Sequence, residues 1–168
     1  MNYSLTAGCV SSSFIEDEYL AMILLFGNFE GPGRHFEIAF GKSDVLEFAT
    51  DPETGCVGEL TLTACRDFSI VGGRMGLPTA DDGVLHIEAP RFSESEKFNL
   101  DIFDDGLCFA FSCEEPATFV KHGQAVFGFT GEGDLARLWI ADLTELQIAH
   151  VRSVLFEERE NAGQVIEF

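Results

Sequence analysis

Positive charge is what this chain has least of. Of its 168 residues only ten are Lys or Arg, against 29 Asp or Glu, and the formal net charge is -19 at pH 7. Just three of the ten are lysines, Lys42, Lys97 and Lys121. A field of that sign repels phosphate backbones and anionic lipid surfaces, so neither nucleic acid nor an inner-leaflet membrane is expected as a partner.

Long apolar runs are missing too. The longest extends from Tyr19 to Phe26, whereas a membrane helix needs about 20 apolar residues. No Lys or Arg occurs in the first 18 residues, so the basic start of a secretory signal is lacking. The five cysteines, Cys9, Cys56, Cys65, Cys108 and Cys113, are an odd set without a C-x-x-C pair, which argues against a disulfide framework. Without an export signal they are expected to stay reduced. These absences predict a cytoplasmic protein.

Apolar residues are plentiful: they make up 46% of the chain, with 17 Phe. Disordered chains are poor in such residues, and this length suits one domain with a real core. A single domain over residues 1–168 is expected, with the charge on a folded body. Acidity by itself speaks to solubility and association, not to fold. It reads either as adaptation to solubility or salt, or as a surface for a cationic protein.

Period-2 patterning dominates. Residues 1–13 are an early strand or a loose end. The run Tyr19–Phe26 is a buried strand or a short core helix, which periodicity does not separate. Phe36, Ile38 and Phe40 alternate with His35, Glu37 and Ala39. Leu46 and Phe48 lead into Asp51-Pro-Glu-Thr-Gly55, a turn in which Pro52 and Gly55 suit the backbone angles. Leu60, Leu62 and Ala64 then alternate on the returning strand of a hairpin. Within residues 66–83, Arg74 to Ala80 reads as an ordered loop, bracketed by Gly72-Gly73 and Asp81-Asp82-Gly83. Leu85 and Ile87 mark a short strand ending at Pro90.

A second hairpin is expected over residues 96–113. Asp105-Gly106 has the composition of a two-residue turn with positive φ at both positions. That loop would pair Asp104 with Leu107, Ile102 with Phe109, Leu100 with Phe111 and Phe98 with Cys113. Six apolar side chains would share one face, and Asn99, Asp101, Phe103, Cys108, Ala110 and Ser112 the other. A brief strand is expected at Thr118–Lys121, and a third hairpin over 125–141, from Phe127 and Phe129 through the turn Gly131–Asp134 to a strand carrying Leu138, Trp139 and Ile140. The three hairpins echo one another weakly and are read as a meander, not a repeat. Thr144-x-x-Gln147 has the form of a capping box. Ile148, Val151 and Leu155 then predict an amphipathic helix over 145–156, followed by a solvated tail in which Val165, Ile166 and Phe168 could dock. The expected fold is mainly β (α+β): an antiparallel, hairpin-rich sheet forming a sandwich or partly open barrel, with one C-terminal helix.

Catalytic patterns are absent. His35, His86, His122 and His150 share no metal-ligand spacing with a cysteine, and Cys108 and Cys113 would point to opposite faces of one strand. There is no G-x-S-x-G, and no glycine loop is followed by Lys-Ser/Thr. The carboxylates Asp101, Asp104, Asp105, Glu114 and Glu115 fall on exposed or loop-tip positions, where an ordinary pKa makes a poor general acid. No enzyme activity, cofactor or metal is expected.

A small, very acidic, hairpin-rich chain of this kind resembles the immunity proteins of bacterial polymorphic toxin systems, including contact-dependent growth inhibition. The segment Leu46-Glu-Phe-Ala-Thr-Asp-Pro-Glu-Thr-Gly55, followed by Glu59-Leu-Thr-Leu-Thr63, looks like the D-x-x-T-G hairpin of some of them. The resemblance implies a cognate toxin domain as partner, often a basic nuclease, whose active site the acidic protein covers. Asp81, Asp82, Asp101, Asp104, Asp105, Glu114 and Glu115 are the carboxylates expected to meet its Lys and Arg. The alternative is a small-ligand-binding or enzymatic β-barrel or sandwich whose phenylalanines line a pocket.

Overall fold

The computed structural model describes residues 2–88 and 97–164. In chain order the strands are β1 (Asn2–Thr6), β2 (Ser12–Ile15), β3 (Met22–Phe26), β4 (Arg34–Phe40), β5 (Asp44–Thr50), β6 (Val57–Cys65), β7 (Phe68–Ile70), β8 (Asp81–Asp82), β9 (Val84–Glu88), β10 (Asn99–Ile102), β11 (Leu107–Ala110), β12 (Thr118–His122), β13 (Ala125–Phe129) and β14 (Leu135–Ile140). One helix, α1 (Glu145–Gln164), follows. The expected mainly-β fold is present, as a sandwich and not a closed barrel.

One sheet has five strands in the order β2-β3-β6-β5-β4, with every neighbouring pair antiparallel. The other has seven, β7-β10-β11-β14-β13-β12-β8, antiparallel except at its two parallel outer pairs, β7–β10 and β12–β8. The inner faces bury Leu24, Leu46, Phe48, Leu60 and Leu62 against Leu100, Phe109, Phe127, Phe129 and Leu138. Phe48 and Phe127 meet across the interface with ring centroids 6.4 Å apart. Fully burying one such side chain stabilises by about 1.5–3 kcal/mol, so the phenylalanines dominate this core.

The two gaps between the sheets are closed differently. A two-stranded ribbon of β1 and β9 brings Leu85 and Ile87 inside, and Tyr3 stacks on Phe129 at 3.8 Å. Near the β7 edge, α1 buries Ile148, Val151, Val154 and Leu155. Its Phe156 meets Phe68 edge-on. The capping box is realised: Gln147 N donates to Thr144 Oγ1 and Thr144 N to Gln147 Oε1. The helix runs beyond the expected end at residue 156. Glu157, Glu158, Arg159 and Glu160 are sound helix formers, and Arg159 lies over the Phe68 ring, so the expected solvated tail is helical through Gln164. The docking expected of Val165, Ile166 and Phe168 falls outside the described residues, as does the strand end at Pro90.

The first hairpin forms as expected. Asp51 Oδ1 accepts from the N–H groups of Glu53 and Thr54, and Gly55 takes a φ of 74°. A bulge at Val45/Leu46 then reverses the pattern near the strand end, so Cys65 is buried and Ala64 only half-buried. The second hairpin has its expected faces but a different register. Ile102 pairs with Leu107 and Leu100 with Phe109, and Phe103 N donates to Gly106 O. The tip is therefore Asp104-Asp105, not Asp105-Gly106. Neither Asp105 nor Gly106 has a positive φ. Glycine is required at 106 for space: a Cβ there would lie 2.5 Å from both Ile140 O and Met75 Cε. The slip is two residues, and strand side chains alternate with period 2, so the expected apolar face survives it for Phe98, Leu100, Ile102, Phe109 and Phe111 but not for Cys113. Cys113 lies past the end of β11 and is exposed, so it does not share a strand with Cys108. Arg74–Ala80 is a loop as expected, and on either side of it Phe68–Ile70 and Asp81–Asp82 are strands. Each pairs in parallel with a distant segment, a partnership with no local pattern.

His122 on β12 ties the three sheets together. The Leu85 N–H on β9 donates to its Nδ1 at 3.0 Å, which leaves Nε2 to donate to Val57 O on β6 at 2.8 Å. The ring is fully buried, and burial holds its pKa below the ordinary imidazole value. The unfolded chain, with a histidine pKa of about 6.5, takes up this proton first. Stability from His122 is therefore complete above about pH 6.5 and declines as the pH falls from there toward the lowered folded value. Replacement H122L strands a buried N–H and a carbonyl, and should cost about 2–4 kcal/mol at pH 8. Urea unfolding should also show a smaller loss of stability between about pH 8 and pH 5 in H122L than in the parent.

Candidate functional site

The seven singled-out carboxylates lie in separate places. Asp81 and Asp82 are exposed on β8, at one edge of the seven-stranded sheet. Asp101 is exposed on β10, opposite Cys108. From β10 to β8 there are five strand spacings, or about 24 Å. Glu114 and Glu115 are exposed beyond the far end of β11, and Glu115 Oε1 lies 3.6 Å from Arg137. The fold does not gather these groups into one cluster.

Asp104 and Asp105 have a structural task at the hairpin tip. Asp104 Oδ2 accepts from Gly73 N at 2.9 Å, and Asp105 Oδ1 accepts from Met75 N at 2.8 Å. The segment they hold lays Met75 over the outer face of the sheet, where it is buried with Val126, Trp139 and Ala141, and Phe103, Cys108 and Phe119 pack around them. The face carrying Asp101 is thus partly roofed by a second, small apolar cluster. Burial raises the Cys108 thiol to a pKa of about 11, so it is a thiol at neutral pH. Replacing Asp105 by Ala should cost about 2 kcal/mol, the typical worth of a hydrogen bond to a charged group. The same change should speed proteolysis at Arg74 at a concentration of denaturant that leaves the parent intact, since the loop loses its anchor.

A different surface combines charge with apolar anchors. His150 Nε2 on α1 donates to Leu20 O at 3.0 Å, and its ring meets Phe14 edge-on. Leu146 lies four residues before His150 on α1, one helical turn from the side chain that bonds Leu20. Leu146 is 78% exposed, Tyr19 75% and Ile15 41%. Glu16, Glu18, Asp142 and Glu145, all exposed, adjoin them in the chain. Sequence reading missed these residues because it assigned Tyr19 to a buried run. The available signal was Leu146, which lies outside the stripe of Ile148, Val151 and Leu155.

The opposite polarity occurs at a cleft among the described residues. An open cleft of about 920 Å³ lies between the β4–β5 turn, the end of β6 and the last turns of α1. Lys42, Arg66 and Arg159 line it, with Phe40, Cys65 and Glu158. Burial raises the pKa of Glu158, whose Oε2 is enclosed without a hydrogen-bond partner among the described residues. Burial also raises the Cys65 thiol pKa, far above its ordinary value, and the neighbouring Asp44 adds to the rise. Among the described phenylalanines, Phe40 lines the cleft, while Phe48, Phe98, Phe109, Phe127 and Phe129 fill the core.

Fold and surface together define a two-sheet β-sandwich closed by a ribbon and one helix. No protein-family model matches the chain, and no curated protein matches it. Among the described residues, no three His, Cys, Asp or Glu side chains are grouped to hold a metal ion. All five cysteines are free. No helix among those residues is long and apolar enough to cross a membrane.

Proposed function

We propose that this chain is a cytoplasmic, immunity-type inhibitor that binds a basic cognate toxin domain and covers its active site, a nuclease being one class that fits. The observation that carries the reading is the exposure of Ile15, Tyr19 and Leu146, apolar side chains each next in sequence to an exposed carboxylate, in a chain of net charge -19. Protein interfaces draw most of their affinity from a few desolvated anchors, with tyrosine enriched among them. Carboxylates around such anchors accelerate encounter with a cationic partner and discriminate against anionic ones. Asp81, Asp82, Asp101, Glu114 and Glu115 extend the same field over other faces. Asp104 and Asp105 contribute charge while holding the Gly73–Met75 loop.

Affinity capture from the native cell, eluted by salt, tests this reading. It should retrieve a basic protein that arrests growth when expressed alone and is neutralised by co-expression of this chain. The double variant Y19A/L146A should bind that protein at least about tenfold more weakly, mostly through faster dissociation. Both side chains are exposed, so its stability should stay within about 0.5 kcal/mol of the parent. D101K should instead slow association, with a smaller effect at high salt. Capture of no basic protein, or of one indifferent to Y19A/L146A, would overturn the assignment.

A further inference from the structure

We propose that the cleft formed by the β4–β5 turn, the end of β6 and the last turns of α1 binds a small amphipathic anion, a carboxylate or sulfonate on an apolar body. This is a second site, independent of the partner surface.

The distribution of charge carries the inference. Carboxylates outnumber basic residues 29 to ten over the whole chain, yet the described residues lining this cleft include Lys42, Arg66 and Arg159 against one carboxylate, Glu158, with Asp44 and Asp67 next to Cys65 and Arg66. Nearly a third of the basic residues thus lie on one concavity. They come from three separate elements, so chain adjacency does not explain their meeting. Arg66 and Arg159 both act electrostatically on Asp67, which places them in one neighbourhood. The ion pair of Asp67 is nonetheless with Lys97, and neither Lys42, Arg66 nor Arg159 forms one with a described residue. Arg159 is held in place by its stacking over Phe68, at 4.9 Å from the ring centroid. A guanidinium fixed in this way loses little freedom on binding and presents a planar fork that matches a carboxylate or sulfonate.

The rest of the cleft defines the other half of the ligand. Phe40, Ala64 and the stems of the basic side chains make it chiefly apolar. Its volume of about 920 Å³ falls within the range of small-molecule sites. Glu158 sets a limit on the ligand. A polyanion would bring several charges against this carboxylate, whereas a single anionic head can engage the cations with less repulsion from Glu158.

Isothermal titration of the full chain with decanoate, and with decanol as a neutral match, tests the site. Decanoate should bind and decanol should bind at least about tenfold more weakly. K42E/R66E should lower decanoate affinity by about tenfold or more, and K121E, remote on β12, should leave it within about twofold. Lys42 and Arg66 are exposed, so the fold should survive. Circular dichroism and the melting temperature check that it does, and K42Q/R66Q replaces the reversal should K42E/R66E fail to fold. Amide shifts in heteronuclear spectra should map decanoate to Gly41–Ser43 and Ala64–Arg66. Absence of decanoate binding, equal affinity for decanol, or shifts confined to other surfaces would overturn the proposal.

Discussion

The sandwich depends on holding two sheets that share no strand in one orientation, and His122 is where that constraint is met. Apolar burial between the sheets is strong but non-directional, so it fixes proximity more readily than alignment. The imidazole supplies direction. Rooted on β12, it accepts from β9 and donates to β6, so all three sheets meet at one neutral ring. Its two hydrogen bonds satisfy backbone groups that would otherwise be buried and unpaired. The neighbouring Phe26 ring, 4.6 Å away, completes a junction that excludes water and keeps the imidazole uncharged.

With the body fixed, the surface divides by polarity. Most of it carries carboxylates on strands, turns and the helix, where solvent tolerates them. Two places depart from that pattern in opposite ways. Exposed Ile15, Tyr19 and Leu146 add apolar anchors to the negative field, the combination a cationic protein surface complements. The cleft beside the end of α1 gathers cations around an apolar floor. Both involve α1: its first turn carries Leu146, one turn before the His150 bond to Leu20, and its last turns bring Glu158 and Arg159 to the end of β6. One helix thus builds parts of both.

The hairpins were legible because their signals are local. Alternation over Phe36–Phe40, the Asp51–Gly55 turn and the capping box at Thr144 each lie within a few residues and act through nearby backbone groups. The register at Asp104-Asp105 was not legible. The positive φ suggested by Asp105-Gly106 yields to contacts from Gly73, Met75 and Ile140, all remote in sequence. Strands β7 and β8 escaped reading for the same reason, since a strand of two or three residues in a parallel pair is defined wholly by its partner. Of the candidate site residues, the exposure of Asp101, Glu114 and Glu115 followed from alternation and turns. That Asp104 and Asp105 pin a loop, and that His150 ties α1 to Leu20, required the folded chain.

By itself, then, the sequence determined that this is an acidic, mainly-β protein with a phenylalanine-rich core, three hairpins and a capped C-terminal helix. Composition and period act through solvation and local backbone geometry, and these need no knowledge of distant neighbours. Tertiary structure alone decided the pairing of β7 with β10 and β8 with β12, the hairpin register, the three-way bond of His122, and the meeting of Lys42, Arg66 and Arg159. Each of these joins residues far apart along the chain, and the energy that selects them exists only once packing has brought those residues into contact.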